Sequence, residues 1–301
     1  MRIHGTWATL LLPIEPDESI AWSRLADEID SLLTTGVDGI YSNGTAGEFY
    51  AQTEDEFDRV QEMLAARCRG RMPFQIGASH QCARTSIERV RRATRLGPAA
   101  IQVILPDWFP VSEGEARRFL EAAAEAADPA PLVLYNPPHA KRVLPAGEMG
   151  RLAAAVPALR GCKVAMRDAA WMAEVRALAP GFSIFIPGHR LATGAAAGAD
   201  GAYSNLACLS PAGAAWWGRL IGSGPAAAGE IEGRIVSFFD EHILPCKARY
   251  GVANHALDKL LAAIGGWADV GTRLRWPYTA VPESEAERLR PIALAAMPEL
   301  F

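Results

Sequence analysis

Lys163 is the residue of this 301-residue chain with the widest chemical reach. It stands inside the short apolar segment Leu159–Ala165, on the same alternation parity as Gly161 and Ala165. A lysine enclosed by small and apolar neighbours loses hydration, its pKa falls, and the neutral amine that results attacks ketones. The plainer reading is a strand-end lysine whose head reaches solvent or a carboxylate. Tyr135, within Leu132–Asn136, is ambiguous alone, since a tyrosine in a strand is usually core with its hydroxyl satisfied nearby. Gly44-Thr45-Ala46-Gly47 reads either as an ordinary tight loop or as an anion site. In the second case successive backbone N–H groups and the Thr45 hydroxyl hold a carboxylate. Each signal is weak singly; their order along the chain is more specific.

Such groups work only if several chain segments bring them together. After an apolar first strand over Ile3–Leu12, residues 19–35 carry Ile20, Leu25, Ile29, Leu32 and Leu33 at near-helical spacing, with Gly36 as the stop. A second strand begins at Asp38 and runs to Ser42. The alternation then repeats. Helices over 53–69, 83–96, 113–127, 145–156, 168–179 and 190–197 separate strands at Phe74–Ser79, Ala100–Leu105, Leu132–Asn136, Leu159–Ala165, Phe182–Pro187 and Asp200–Ser204. Several of these strands are almost wholly apolar, as expected when both faces are covered. Gly36-Val37-Asp38-Gly39 and Gly198-Ala199-Asp200-Gly201 are near-copies, each placed between a helix end and a strand. The pattern predicts an α/β fold, a (β/α)8 TIM barrel over 1–223 whose eighth helix is 211–223. A C-terminal helical extension over 224–301 follows, with helices near 227–249, 254–265 and 284–296. A doubly wound open sheet is the alternative, but no G-x-G-x-x-G turn follows the first strand.

Bulk properties remove other classes. Half of the residues are hydrophobic, 21% are charged and the formal charge is −4, so no nucleic-acid partner is indicated. Cys68, Cys82, Cys162, Cys208 and Cys246 are odd in number and never spaced C-x-x-C, which suits reduced thiols in a cytoplasmic protein. Trp7–Ile14 is too short and too soon followed by Glu15, Asp17 and Glu18 to read as a signal peptide. No stretch approaches the ~18 uninterrupted apolar residues of a membrane span. The six histidines show no metal-binding spacing, so no metal and no cofactor are expected. Arg89, Arg91, Arg92 and Arg95 share one helix and, with Glu88 nearby, read as a solvated face.

The chain resembles the dihydrodipicolinate synthase / N-acetylneuraminate lyase family over nearly its whole length. Gly44-Thr45-Ala46-Gly47-Glu48 matches the family's G-T/S-T-G-E loop, Tyr135-Asn136-Pro137-Pro138 its Y-N-x-P and Gly161-Cys162-Lys163 its G-x-K. Pro245-Cys246-Lys247 and Arg275-Trp276-Pro277 also look like that family. The resemblance implies a Schiff-base-forming lyase acting on a pyruvate-like 2-oxo acid. Lys163 would form the iminium, Tyr135 would move protons, and Thr45 would position or relay to Tyr135. Gly44, Thr45 and Ala46 would hold the substrate carboxylate, while Glu48 would anchor the loop. It also implies a homo-oligomer, a tetramer or dimer.

Departures from the family narrow the expectation. The arginine that family synthases carry two residues after the proline of Y-N-x-P is Ala140 here, flanked by His139, Lys141 and Arg142. The second loop threonine is Ala46. The segment after strand four reads Pro106-Asp107-Trp108-Phe109-Pro110, with no tyrosine. These changes argue for an aldolase or sugar-acid dehydratase rather than a true dihydrodipicolinate synthase. Gly188, His189 and Arg190, after strand seven, read either as contacts for a distal acid or hydroxyl of the substrate or as a helix start with solvated charges. His139, Lys141 and Arg142 are candidates for an acidic tail, and Trp108 either for stacking on an aromatic one or for a subunit contact. The rival expectation is a barrel of the same fold that binds a 2-oxo acid without turnover, as a sensor or scaffold.

Overall fold

A computed structural model describes residues 2–301. Eight parallel strands, β1 (Gly5–Thr9), β2 (Gly39–Tyr41), β3 (Phe74–Gly77), β4 (Ala100–Val103), β5 (Leu132–Asn136), β6 (Leu159–Val164), β7 (Ser183–Pro187) and β8 (Gly201–Ser204), pair in chain order and close on themselves. Helices α1 (Trp22–Leu32), α2 (Glu54–Cys68), α3 (Ala83–Thr94), α4 (Glu113–Ala127), α5 (Ala146–Ala155), α6 (Ala169–Leu178), α7 (Leu191–Ala197), α8 (Leu206–Leu209) and α9 (Pro211–Ser223) follow the strands around the outside. The architecture is a (β/α)8 TIM barrel with C-terminal helices, as the alternation predicts.

Side chains of alternate parity explain the layers. Trp7, Tyr41, Val133, Phe185 and Tyr203 form one buried cluster that fills the barrel, while the larger apolar core lies between strands and helices. Closure is tight where β8 meets β1. A Cβ on Gly201 would lie 2.1 Å from the Gly5 carbonyl oxygen, so only glycine lets these two strands approach. Helix starts are specified locally: Thr53 with Glu56 and Ser112 with Glu115 form reciprocal caps on α2 and α4, each contributing about 1 kcal/mol. The N-terminal amides of α7 are met instead by a distant residue, the Glu232 carboxylate, which accepts from Ala192 and Thr193.

Four local expectations change. The first strand stops at Thr9 rather than Leu12, because the Leu11 amide leaves the ladder to donate to buried Glu28 (2.8 Å). The first helix begins at Trp22 rather than 19, since Ile20 is held in an antiparallel bridge to Ile14. The expected helix over 227–249 is α10 (Pro225–Phe238), a π turn at Phe239–Ile243 and α11 (Leu244–Tyr250). Pro245 has no N–H for the carbonyl four residues back, and the extra residue of a π turn absorbs the mismatch. Finally, Arg89 and Arg92 are not solvated. Arg89 is buried, pairs with Glu54 (2.7 Å) and donates to the Ser79 carbonyl (2.7 Å), while Arg92 pairs with Asp58 (2.7 Å). Helical spacing turns these two arginines toward α2 and leaves Arg91 and Arg95 exposed.

After α11 the chain forms α12 (Asn254–Gly265) and α13 (Glu283–Ala296). Among the described residues no helix is long and apolar enough to cross a membrane.

Candidate active site

The C-terminal ends of the strands open into a cavity of about 250 Å³. Tyr135 on β5 and Lys163 on β6 are direct neighbours in the strand register, both on the inward parity, so their side chains enter the cavity together. The Lys163 amine lies 4.5 Å from the centre of the Tyr135 ring and 5.1 Å from that of Tyr41, and it donates weakly to the Tyr41 hydroxyl at 3.5 Å. Burial pulls the Lys163 pKa down to about 8, against the opposing pull of the Asp258 carboxylate. The Tyr135 hydroxyl is 3.2 Å from Thr45 Oγ1. Burial raises its pKa, so the phenol keeps its proton at neutral pH.

The loop after β2 supplies Thr45 and Ala46 to the cavity wall. Within it Gly47 and Glu48 donate back to the carbonyls of Gly44 and Thr45 at 3.1 and 3.2 Å. The amides of Thr45 and Ala46 donate to no protein group among the described residues, the arrangement an anion needs. Gly44 lies behind the wall, under the Tyr41 ring. Glu48 has a left-handed backbone (φ 49°) and is wholly buried; it pairs with buried Lys259 on α12 at 2.7 Å and accepts from the Arg275 amide at 2.9 Å. The loop is thereby tied to the C-terminal helices.

His189 reaches the cavity from the short turn after β7. Its Nδ1 lies 3.1 Å from Asn205 Oδ1, and its ring stacks on Phe239 of the π turn at 5.0 Å. Burial lowers its pKa, so it acts as a neutral imidazole. Gly188 does not reach the wall. It packs on β8, where a Cβ would come within 2.0 Å of Ser204 Oγ, so its glycine serves close packing.

His139 lines the cavity and a second one of about 210 Å³ beside it, toward the segment after β4. Lys141 turns outward, donating to the Trp108 carbonyl (2.6 Å) with its amine 4.7 Å from that indole's centre. Arg142 pairs with Glu148 at 2.7 Å while lining the second cavity. Trp108 is 68% exposed and lines neither cavity.

Three contributors escaped the sequence reading. Tyr41 ends β2 on the inward parity, a signal that was there to be used. The π turn and α12 close the cavity with Asp240, Ile243, Asn254, Leu257 and Asp258, and nothing local marks these positions. Burial raises the Asp258 pKa to about 7, opposed by Lys163.

Fold and cavity together define a (β/α)8-barrel protein with an amine-centred pocket at the mouth. A sequence model of the dihydrodipicolinate synthetase family matches residues 2–296, and the chain belongs to that family. A 4-hydroxy-tetrahydrodipicolinate synthase from Methylococcus capsulatus is 34% identical over 187 residues, 61% of this chain and 63% of that one. An N-acetylneuraminate lyase from an Enterobacter species is 25% identical over 66% of this chain and 68% of its own. The chain spans about half of other synthase relatives, such as the 46% matched in Phocaeicola vulgatus at 31% identity. Among solved structures, the Escherichia coli K12 prophage protein YagE, a family member in complex with pyruvate, superposes with a TM-score of 0.86 at 21% identity, covering 99% of each chain. A Ruminococcus gnavus sialic acid aldolase with its catalytic lysine mutated gives 0.86 at 20% identity over all of both chains. These two likenesses concern the fold. The activities named in the family are those of synthases and lyases.

Proposed function

We propose that this protein is a lyase that forms a Schiff base between Lys163 and the C2 ketone of a pyruvate-like 2-oxo acid. The observation that carries the reading is the Lys163 amine, depressed in pKa, beside a Tyr135 phenol bonded to Thr45. The free amine attacks C2 and Tyr135 shuttles the proton from nitrogen to oxygen, with Thr45 holding the phenol in line. The substrate carboxylate takes the free amides of Thr45 and Ala46. Once formed, the iminium is an electron sink, so retro-aldol cleavage or loss of a proton yields a neutral enamine. An aldolase or a sugar-acid dehydratase fits this site better than a dihydrodipicolinate synthase, because Ala140 has no guanidinium for a second carboxylate. The cavity wall beyond the lysine is largely apolar, with Phe239, Ile243, Leu244 and Leu257. We also propose that the protein is a homo-oligomer, a reading supported by the family resemblance alone.

The test is borohydride reduction in the presence of pyruvate, followed by intact mass and peptide mapping. The expected product is a reduced adduct on Lys163, absent in Lys163→Ala. Failure to trap pyruvate and several larger 2-oxo acids, or an adduct on another lysine, would remove the mechanism.

A further inference from the structure

We infer that Asp258 is a second catalytic acid of this site, the group that protonates the departing hydroxyl as the carbinolamine on Lys163 becomes the iminium. The inference rests on the Schiff-base reading and adds to Tyr135 a second proton source for the loss of water. Four positions of α12, Asn254, Leu257, Asp258 and Leu261, recur at i, i+3, i+4 and i+7 and form one wall of the Lys163 cavity. The neighbouring stripe does a different job: Lys259 pairs with Glu48, and His255 packs edge-on against Tyr50. Asp258 therefore stands on a helix fixed from behind, with its carboxyl directed into the same space as the lysine.

Other enclosed acids of this chain are engaged. Glu28 accepts from the Leu11 amide, Glu48 pairs with Lys259, and Glu232 accepts from the start of α7. Asp258 makes no hydrogen bond or ion pair with a protein group among the described residues, so no structural duty accounts for a carboxyl beside an amine. The titratable groups that line the same cavity are Lys163 on β6, Tyr135 on β5, Tyr41 on β2, Tyr203 on β8, Cys208 on α8, His139 after β5, His189 after β7 and Asp240 in the π turn. Burial keeps the three phenols and the thiol protonated and both imidazoles neutral. A carboxyl that titrates near 7 is matched to giving up a proton at neutral pH.

The step balances. The carbinolamine carries a hydroxyl and the Lys163 nitrogen on C2. The C2–oxygen bond breaks as the Asp258 carboxylic acid gives its proton to that oxygen, and water leaves. The nitrogen lone pair forms the second C–N bond. A neutral acid and a neutral carbinolamine become a carboxylate and an iminium cation, which attract each other in the enclosed site. Hydrolysis of the product imine runs the same step in reverse.

The experiment is rapid-quench borohydride trapping of pyruvate from pH 5.5 to 9.5, comparing the intact protein with Asp258→Asn and Asp258→Glu. The expected result for Asp258→Asn is a trapping rate lower by about 100-fold at its optimum. Its ascending limb should also move to lower pH, because the charge that favours the Lys163 ammonium is gone. Asp258→Glu should restore part of the rate. Equal rates and profiles in Asp258→Asn and the intact protein would overturn the role of Asp258 and leave Schiff-base formation standing. No adduct in the intact protein would remove both. If Asp258→Asn shows no cooperative melting, Asp258→Ser provides the same comparison.

Discussion

An amine held against three tyrosine rings sheds its proton more readily than one in water, because the ammonium has lost hydration that the rings only partly replace. With Lys163 titrating near 8, free amine becomes scarcer as the pH falls below that value. The rate of pyruvate trapping should therefore rise with pH from 6 to 7. Tyr135→Phe keeps the ring beside the amine and removes only the hydroxyl proposed to carry the proton. It should lower turnover by about 100-fold, with a smaller change in KM, measured by steady-state kinetics once an aldehyde partner is found. Unchanged kcat would show that the phenol is a packing group. At this scale type and order pointed to Lys163, Tyr135 and Thr45, and the three line one cavity. That Asp258 lines it too was not legible, because a carboxyl 95 residues further along, on an ordinary amphipathic helix, has no local mark of facing the lysine.

At the scale of elements, the loop after β2 keeps its shape because Glu48 and Lys259 meet with neither exposed. Removing one partner leaves a buried charge uncompensated. Lys259→Met should destabilise the protein by about 3–5 kcal/mol, and adding Glu48→Gln to it should recover much of the loss. Urea denaturation of the single and double variants reads this directly; additive losses would show that the pair does not hold the loop. The expected strands and helices fell close to the observed ones wherever the apolar period and a capping residue agreed, as at Thr53 and Ser112. They shifted where a distant side chain took a backbone group, as Glu28 does at Leu11. The pairing of buried Arg89 with Glu54 was invisible for the same reason: its partner lies on another helix.

For the whole molecule, the outer surface carries an aromatic pair that the barrel itself does not need. Trp108 and Phe109, 68% and 75% exposed, stand together after β4 beside the cavities. Exposed aromatic side chains in such a pair suit an interface, and the expectation is a homo-oligomer, most simply a tetramer. Light scattering on the purified protein checks it. Replacing both residues by serine should yield smaller species if this segment lies in the contact, and a monomer in the unaltered protein would remove the expectation.

The sequence by itself determined the (β/α)8 architecture and the lysine, tyrosine and threonine at its mouth, because apolar period, glycine punctuation and short motifs are local and survive without a partner. Only the tertiary structure decided what closes the cavity. The π turn and α12 bring Asp240 and Asp258 over the strand ends, Gly188 is turned away from the cavity to pack on β8, and Trp108 is left outside it. The physical reason is that desolvation and charge coupling depend on distances between segments far apart in the chain, and no periodicity within one segment encodes those distances.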